Sequence, residues 1–172
     1  YGPCGVGKTT LGNIISKRTK SIFVYLNAGF SNAAQIKTEI ANARLRLQTQ
    51  GQRTVIFLDE FHRLNKAQQD LLIPDTEQST VILVGATTHN PYFFLNPALV
   101  SRSLVCEFKP LEDEHLKIIL KKALEDTEKG LGSFNVKVDD GAINFIVKNS
   151  CGDARKALNA LEIAFLTSKE VL

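Results

Sequence analysis

The run Gly2-Pro3-Cys4-Gly5-Val6-Gly7-Lys8-Thr9 fits G-x-x-x-x-G-K-S/T, the pattern of a loop that wraps the phosphates of a nucleoside triphosphate. Glycine lets the backbone wind tightly enough to turn successive N–H groups toward an anion, and the helix that follows adds the positive end of its dipole. In that pattern Lys8 reaches the β and γ phosphates, and the Thr9 hydroxyl ligates Mg²⁺. Gly2, Pro3, Cys4, Gly5, Val6, Gly7, Lys8, Thr9 and the adjoining Thr10 are therefore the candidate phosphate-binding residues. The pattern also restricts the fold, because such a loop joins a buried parallel strand to a helix. Only Tyr1 precedes it, and the chain has no methionine. The reading thus expects a piece of a longer polypeptide, with the first core strand missing.

Downstream, helical and strand patterns alternate as in an α/β protein with a parallel sheet and flanking helices. Thr10 to Lys17, with Leu11, Ile14 and Ile15, reads as a helix, and Ile22 to Leu26 as a short buried strand. Ser31 is placed to cap a long helix whose Ile36, Ile40, Ala43 and Leu47 fall on one stripe and which Gly51 ends. Val55 to Leu58 and Val81 to Ala86 are continuous apolar runs, the mark of strands covered on both faces. Leu104 to Phe108 reads as a further strand nearer an edge.

Past Pro110 the strands stop. Leu116, Ile119, Leu120, Ala123 and Leu124 recur at helical spacing, with Gly130 and Gly132 closing the helix. A second helix begins at Asp139 or Asp140 and runs through Ile143, Ile146 and Val147. A third starts at Asp153, with Ala154, Leu158, Leu161 and Phe165 along one face. The expected organisation is a nucleotide-binding core over residues 1–110 and a small all-helical lid over 111–172, each cut short at its outer end.

A phosphate loop alone leaves kinases, GTPases and ATPases open, and the second strand separates them. Val55-Ile56-Phe57-Leu58-Asp59-Glu60 delivers two adjacent carboxylates at the C-terminal end of an apolar strand, the edge at which open α/β sheets bind ligands. Asp59 would hold Mg²⁺ through its water shell, and Glu60 would polarise an attacking water. A small-molecule kinase needs no such glutamate, so the pair favours hydrolysis. The third strand ends in Gly85-Ala86-Thr87-Thr88-His89-Asn90 at the same edge. A hydroxyl there can bond both the γ phosphate and the lytic water; Thr88 is the first choice and Thr87 the alternative.

Two arginines either complete such a site or are plain surface charges. Arg102, in Ser101-Arg102-Ser103, could be a finger aimed at the γ phosphate on another subunit, since a guanidinium stays ionised and presents a planar fork of donors. Arg155, in Gly152-Asp153-Ala154-Arg155, stands in the first turn of a helix, where the dipole disfavours a cation. A phosphate facing the lid would give it a reason to be there. Asn65 and Gln68 have the spacing of a capping box, which needs no ligand. Neither charge nor spacing assigns His62 and Arg63 to a metal or to DNA.

Composition mostly excludes. A net charge of +3 permits contact with DNA without arguing for it, being far below that of a protein that coats nucleic acid. Cys4, Cys106 and Cys151 are too dispersed for a metal-ligand spacing, and their odd, sparse count points to a reducing compartment. No apolar run approaches the roughly 20 residues that span a bilayer, so no membrane partner is expected.

Several longer runs carry a more specific likeness. Asp59-Glu60-Phe61-His62-Arg63-Leu64-Asn65-Lys66-Ala67-Gln68-Gln69-Asp70, Gly85-Ala86-Thr87-Thr88-His89-Asn90-Pro91, Leu99-Val100-Ser101-Arg102, Lys129-Gly130-Leu131-Gly132 and Gly152-Asp153-Ala154-Arg155-Lys156-Ala157-Leu158-Asn159 occur in this order. Together they resemble the replication-associated recombination protein A family, which includes the Werner helicase-interacting ATPase and belongs to the clamp-loader clade of AAA+ P-loop NTPases. The resemblance implies an enzyme that binds ATP with Mg²⁺ and hydrolyses it as a homo-oligomer, a tetramer in this family. It further implies action on DNA at stalled forks, on single strands or duplex ends, in replication, repair and recombination, together with single-strand binding protein. The expected location is the bacterial cytoplasm near the nucleoid, or the nucleus of a eukaryote.

Carried onto this chain, the resemblance makes Lys8 and Thr9 the Walker A pair and Asp59 and Glu60 the Walker B pair. Thr88 becomes sensor 1, Arg102 the trans-acting finger and Arg155 sensor 2. Catalysis then falls to Glu60, Thr88 and Arg102, ATP contact to residues 2–10 with Asp59 and Arg155, and metal to Thr9 and Asp59. Cys4 stands where proline is frequent in the family. The rival readings are a clamp-loader subunit or a Holliday-junction branch-migration motor, and, from another class, a DNA-repair scaffold that binds ATP without hydrolysing it. The family's adenine-contacting segment and C-terminal oligomerisation region are absent from these residues, so a polypeptide of this length alone is not expected to be fully active.

Overall fold

A strand apolar on both faces must be covered on both, and the sheet places the most apolar strand in its middle. In the computed structural model, which describes residues 1–134 and 136–168, β1 (Ile22–Asn27), β2 (Thr54–Asp59) and β3 (Val81–Gly85) form a parallel sheet in the order β1-β2-β3. Val55, Ile56, Phe57 and Leu58 of β2 are fully buried. The register pairs Asn27 with Asp59 and Leu58 with Gly85, so the three C-terminal ends share one edge.

Helix α1 (Lys8–Arg18) packs on this sheet through small residues rather than through its large apolar ones. Gly12 and Ser16 are buried, whereas Leu11 and Ile14 are 41% and 49% exposed. The cause is close approach: a Cβ on Gly12 would overlap the Phe57 ring, lying 2.8 Å from its Cε2. Helix α2 (Ala33–Gln50) buries Ile36, Ile40 and Ala43, and Gly51 ends it with φ 64. Its cap is Asn32, not Ser31. Asn32 Oδ1 accepts the Gln35 N–H at 2.8 Å and Gln35 Oε1 accepts the Asn32 N–H at 3.0 Å, while the Ser31 N–H turns back to the Asn27 carbonyl at 2.8 Å.

Four short helices lie beyond the reach of periodicity: α3 (Lys66–Asp70), α4 (Ile73–Glu77), α5 (Pro91–Phe94) and α6 (Pro97–Val100). Asn65 and Gln68 do form the expected capping box, with both bonds at 2.9 Å. The strand expected over 104–108 is not formed. A strand is made by its ladder, and among the described residues this segment shows no ladder, only a bond from the Tyr1 amine to the Cys106 carbonyl at 2.6 Å.

Helices α7 (Asp113–Glu125), α8 (Asp140–Ser150) and α9 (Ala154–Thr167) bury a separate core of Leu116, Leu120, Ile143, Ile146, Val147, Ala157 and Leu161. Asp139 caps α8 and Asp153 caps α9. On α9 the inward row is Ala157, Leu161 and the half-buried Phe165, whose ring meets Phe134 at 5.0 Å; Leu158 is 37% exposed. The described chain divides into two compact units, one of Tyr1–Gly2 with Gly7–Glu107, the other of Pro3–Val6 with the residues from Phe108 onward. Residues 169–172 of the expected lid lie outside the described residues.

Candidate nucleotide site

Helix α1 opens without a capping side chain and with no acidic residue in its first turn. A Ser, Asp or Asn would normally cap such a first turn, and here the cap position is Gly7, which has no side chain to do so. Gly7 and Gly5 adopt φ of 92 and 67, the left-handed winding a side chain resists. Lys8 Nζ donates to the Gly2 carbonyl at 2.7 Å, and the Gly2 N–H donates to the Thr87 carbonyl at 3.1 Å. Gly2 thus links the loop lysine to the end of β3. Thr9 is half-buried beside Lys8, and Thr10 is exposed. Of the loop residues grouped with the second unit, Pro3 and Cys4 are exposed and Val6 is buried. In that unit Gly5 lies against the Asp153 carboxylate, and its carbonyl accepts the Ala154 N–H at 3.1 Å.

The two acids leave β2 in different directions. Asp59 continues the strand; its Oδ2 accepts the Tyr25 hydroxyl at 3.0 Å and its Oδ1 accepts the Glu60 N–H at 3.0 Å. Glu60 turns into the left-handed region at φ 54, ψ 38. For a residue with a side chain this costs about 1 kcal/mol, and it breaks the strand so that a single 3₁₀ turn, Phe61–Arg63, follows. The Ala86 N–H bonds the Leu58 carbonyl at 2.8 Å and the Phe61 N–H bonds the Ala86 carbonyl at 2.9 Å. These bonds hold the acid pair beside the end of β3.

The two threonines there have different fates. Thr87 is 4% exposed, its Oγ1 lying 2.8 Å from His62 Nδ1 and accepting the His89 N–H at 3.0 Å. Thr88 is exposed, with Oγ1 3.2 Å from His89 Nδ1. The rings of His62 and His89 meet at 4.1 Å, and those of His89 and Phe94 meet edge to face at 4.9 Å. His62 Nε2 stands 3.5 Å from Glu60 Oε2, the oxygen that also accepts Arg63 Nε–H at 3.4 Å. Desolvation, then the neighbouring His89, push the His62 pKa below the ordinary imidazole value. Sequence reading left His62 without a role and passed over Tyr25. The signal for both is positional: Tyr25 lies on β1, the strand paired with β2, in register with Phe57, and His62 stands just past the C-terminal end of β2.

Gly2, Lys8, Asp59, Glu60, Thr87 and Thr88 are therefore joined at one sheet edge through short bonds. Arg102 is tied elsewhere. Its Nε pairs with Glu77 Oε1 at 2.8 Å, and its Nη1 donates to the Ala98 carbonyl at 2.9 Å. Arg155 is exposed in the first turn of α9, where Asp153 Oδ1 accepts its N–H at 2.8 Å.

This donor set fits a magnesium nucleotide. An uncapped helix N-terminus and an ammonium suit phosphate, and one hydroxyl with one or two carboxylates suits Mg²⁺, which takes its other ligands from water and phosphate. Among the described residues no group of three or more His, Cys, Asp or Glu forms a self-sufficient metal cage.

Residues 1–111 match the family described as "ATPase family associated with various cellular activities (AAA)", and the chain belongs to it. Within that family the likeness to the replication-associated recombination protein A group is met. The chain is 42% identical over 170 residues to replication-associated recombination protein A of Bacillus subtilis, covering 99% of this chain and 39% of the relative. It is equally 42% identical to the ATPase WRNIP1 of Dictyostelium discoideum, of which it covers 19%. Among solved structures it resembles the Thermotoga maritima RuvB Holliday junction branch migration motor, with 31% identity and a TM-score of 0.72 over 92% of this chain and 50% of that one. The chain thus spans well under half the length of these curated relatives.

Proposed function

We propose that this protein hydrolyses ATP between subunits of a homo-oligomer, a tetramer by family resemblance, and uses the cycle to remodel DNA or a DNA-bound partner at replication forks. The observation that carries the reading is the junction of Gly2, Lys8, Asp59, Glu60 and Thr87-Thr88 at one sheet edge. Lys8 and the first-turn N–H groups of α1 would bind the phosphates, with Thr9 and Asp59 as the metal ligands. Bound Mg²⁺ would neutralise charge developing on the phosphate oxygens. Glu60 would orient the attacking water and Thr88, the exposed hydroxyl, would contact water and γ phosphate. Arg155 would reach a phosphate from the lid. Single-strand binding protein as a partner, and a place near the bacterial nucleoid, rest on the resemblance to bacterial relatives; among the described residues no helix is long and apolar enough to cross a membrane.

Glu60→Gln is expected to keep ATP affinity and lose turnover by about 10²-fold or more, whereas Lys8→Ala weakens binding itself. Phosphate release and equilibrium nucleotide binding on the intact protein measure the two. Normal turnover in Glu60→Gln would remove the catalytic assignment. A second reading, a branch-migration motor, is favoured by the structural likeness to RuvB. ATP turnover stimulated by four-way junctions and not by forked duplexes would select it. An ATP-binding scaffold without hydrolysis predicts no phosphate release with either DNA.

A further inference from the structure

In the chain of contacts behind Glu60, one of the two neutral tautomers of His62 turns a ring N–H toward the carboxylate, and it gives the two histidines a task. Thr87 Oγ1 already accepts the His89 N–H at 3.0 Å, so its own proton is free to be donated to His62 Nδ1, 2.8 Å away. A neutral His62 then carries its proton on Nε2, the nitrogen 3.5 Å from Glu60 Oε2. In the other tautomer Thr87 would accept twice, and a bare Nε2 lone pair would face a carboxylate. The charged groups facing His62 are Glu60 and Arg63 on its own turn and His89 across the ring contact; the Lys66 ammonium beside them is held by the Phe94 carbonyl at 3.3 Å.

We propose that His62 is a positioning residue: it holds Glu60 Oε2 with a neutral Nε2–H and joins the Thr87-Thr88-His89 turn at the end of β3 to the catalytic carboxylate. His62 and Arg63 both engage Oε2, which leaves Oε1 for the attacking water. The far end of the chain is Thr88, whose Oγ1 meets His89 Nδ1 at 3.2 Å, and the two imidazoles lie 4.1 Å apart. A change of partner at the Thr88 hydroxyl therefore reaches Glu60 through the two imidazole rings and the one buried hydroxyl between them. The side chain of His62 is 13% exposed and that of Glu60 33%, so the imidazole side of the contact is the better shielded from solvent. The inference rests on the reading of Glu60 as the residue that activates water.

Three substitutions in the intact protein separate positioning from packing. His62→Gln keeps an N–H donor near the Nε2 position, His62→Asn keeps a polar atom only toward Thr87, and His62→Phe keeps the ring alone. Steady-state phosphate release is expected to show kcat down about 10-fold to 100-fold in the Asn and Phe variants, KM for ATP within about twofold, and most of the rate restored in Gln. Equal loss in all three, or a rise in KM with kcat unchanged, overturns the proposal. A measurement on wild type needs no variant to fold: nitrogen-15 chemical shifts at pH 7.5 should report the Nε2–H tautomer for His62, and the Nδ1–H tautomer would overturn the proposal equally. Glu60→Gln serves as the control. If it turns over normally, the hydrolytic reading itself falls; if it is inactive while His62→Phe is normal, only the role of His62 falls.

Discussion

At the scale of single residues the structure depends on places where a side chain is refused or forced. Glu60 is forced, held at φ 54 where glycine would sit without strain. That strain is the local cost of ending β2 abruptly enough to put one acid in line with the strand and the next across the edge of β3. Gly12 is the converse case. It stands mid-helix, where alanine is ordinarily better by about 1 kcal/mol, yet a Cβ would enter the ring of the fully buried Phe57. The ring is fully buried, and forcing an extra methyl into a packed core costs about 1–3 kcal/mol. Gly12→Ala should therefore lower the thermal midpoint despite its helix propensity. Adding Phe57→Leu should return part of the loss, so that the double variant is more stable than the sum of the single changes predicts. Strict additivity would show that α1 does not rest on Phe57.

Elements with long apolar repeats were legible in the sequence, and those made by local polar bonds were only partly so. The runs in β2 and β3 and the stripes of α2, α7 and α8 fix those elements because burial selects the period. The Asn65–Gln68 box was readable because both partners lie three residues apart; Asn32–Gln35 has the same spacing but was hidden behind the plausible Ser31. The buried face of α1 was not readable, since glycine and serine carry no hydrophobic signal and the close approach depends on Phe57. In the site, the acids and the loop lysine announced themselves by motif, whereas the His62–Thr87–His89 chain joins residues up to 27 positions apart through a fold the sequence does not print. The loop after α7 offers an element-scale test. Asp126 Oδ1 accepts the N–H groups of Lys129 and Glu128, each at 2.9 Å, and these bonds hold its pKa below the ordinary aspartate value, the Lys129 bond foremost. A carboxyl whose folded pKa is depressed contributes stability that is complete above its unfolded value, about 3.9. That contribution disappears as pH falls through the folded value. Amide protection factors at Glu128, Lys129 and Gly130 should hold steady down to about pH 4 in wild type and drop as pH is lowered further through the folded value, and be low and flat in Asp126→Asn. Protection no higher in wild type than in Asp126→Asn at about pH 6 would show that the loop is held by other bonds.

For the whole molecule, what counts is where the residues proposed for the site are held. Gly2, Lys8, Asp59, Glu60 and the threonines meet at one edge, but Arg102 is held by Glu77 and by the end of its own helix, with its side chain 50% exposed. Under the proposed function a finger anchored this way would be aimed by its own subunit at another's phosphate, and donors supplied in trans raise phosphoryl transfer by about 10³ to 10⁵. Complementation tests the point directly. Arg102→Ala subunits keep Glu60 but offer no finger, and Glu60→Gln subunits offer a finger but cannot activate water, so each homo-oligomer should be inactive. Mixed in equal amounts and allowed to exchange, roughly one interface in four should join an intact Glu60 to an intact Arg102, and phosphate release should reappear at about that fraction of the wild-type rate. Recovery requires both that the protein assembles and that the finger acts across the interface. If exchanged mixtures stay as inactive as their parents, while light scattering shows that mixed oligomers have formed, Arg102 serves its own subunit and the pairing with Glu77 must open during the cycle. Glu77→Gln distinguishes these routes again: an exposed pair contributes only about 0–1 kcal/mol, so its loss should hardly touch stability. It should raise turnover only if releasing Arg102 from Glu77 is a step of the reaction.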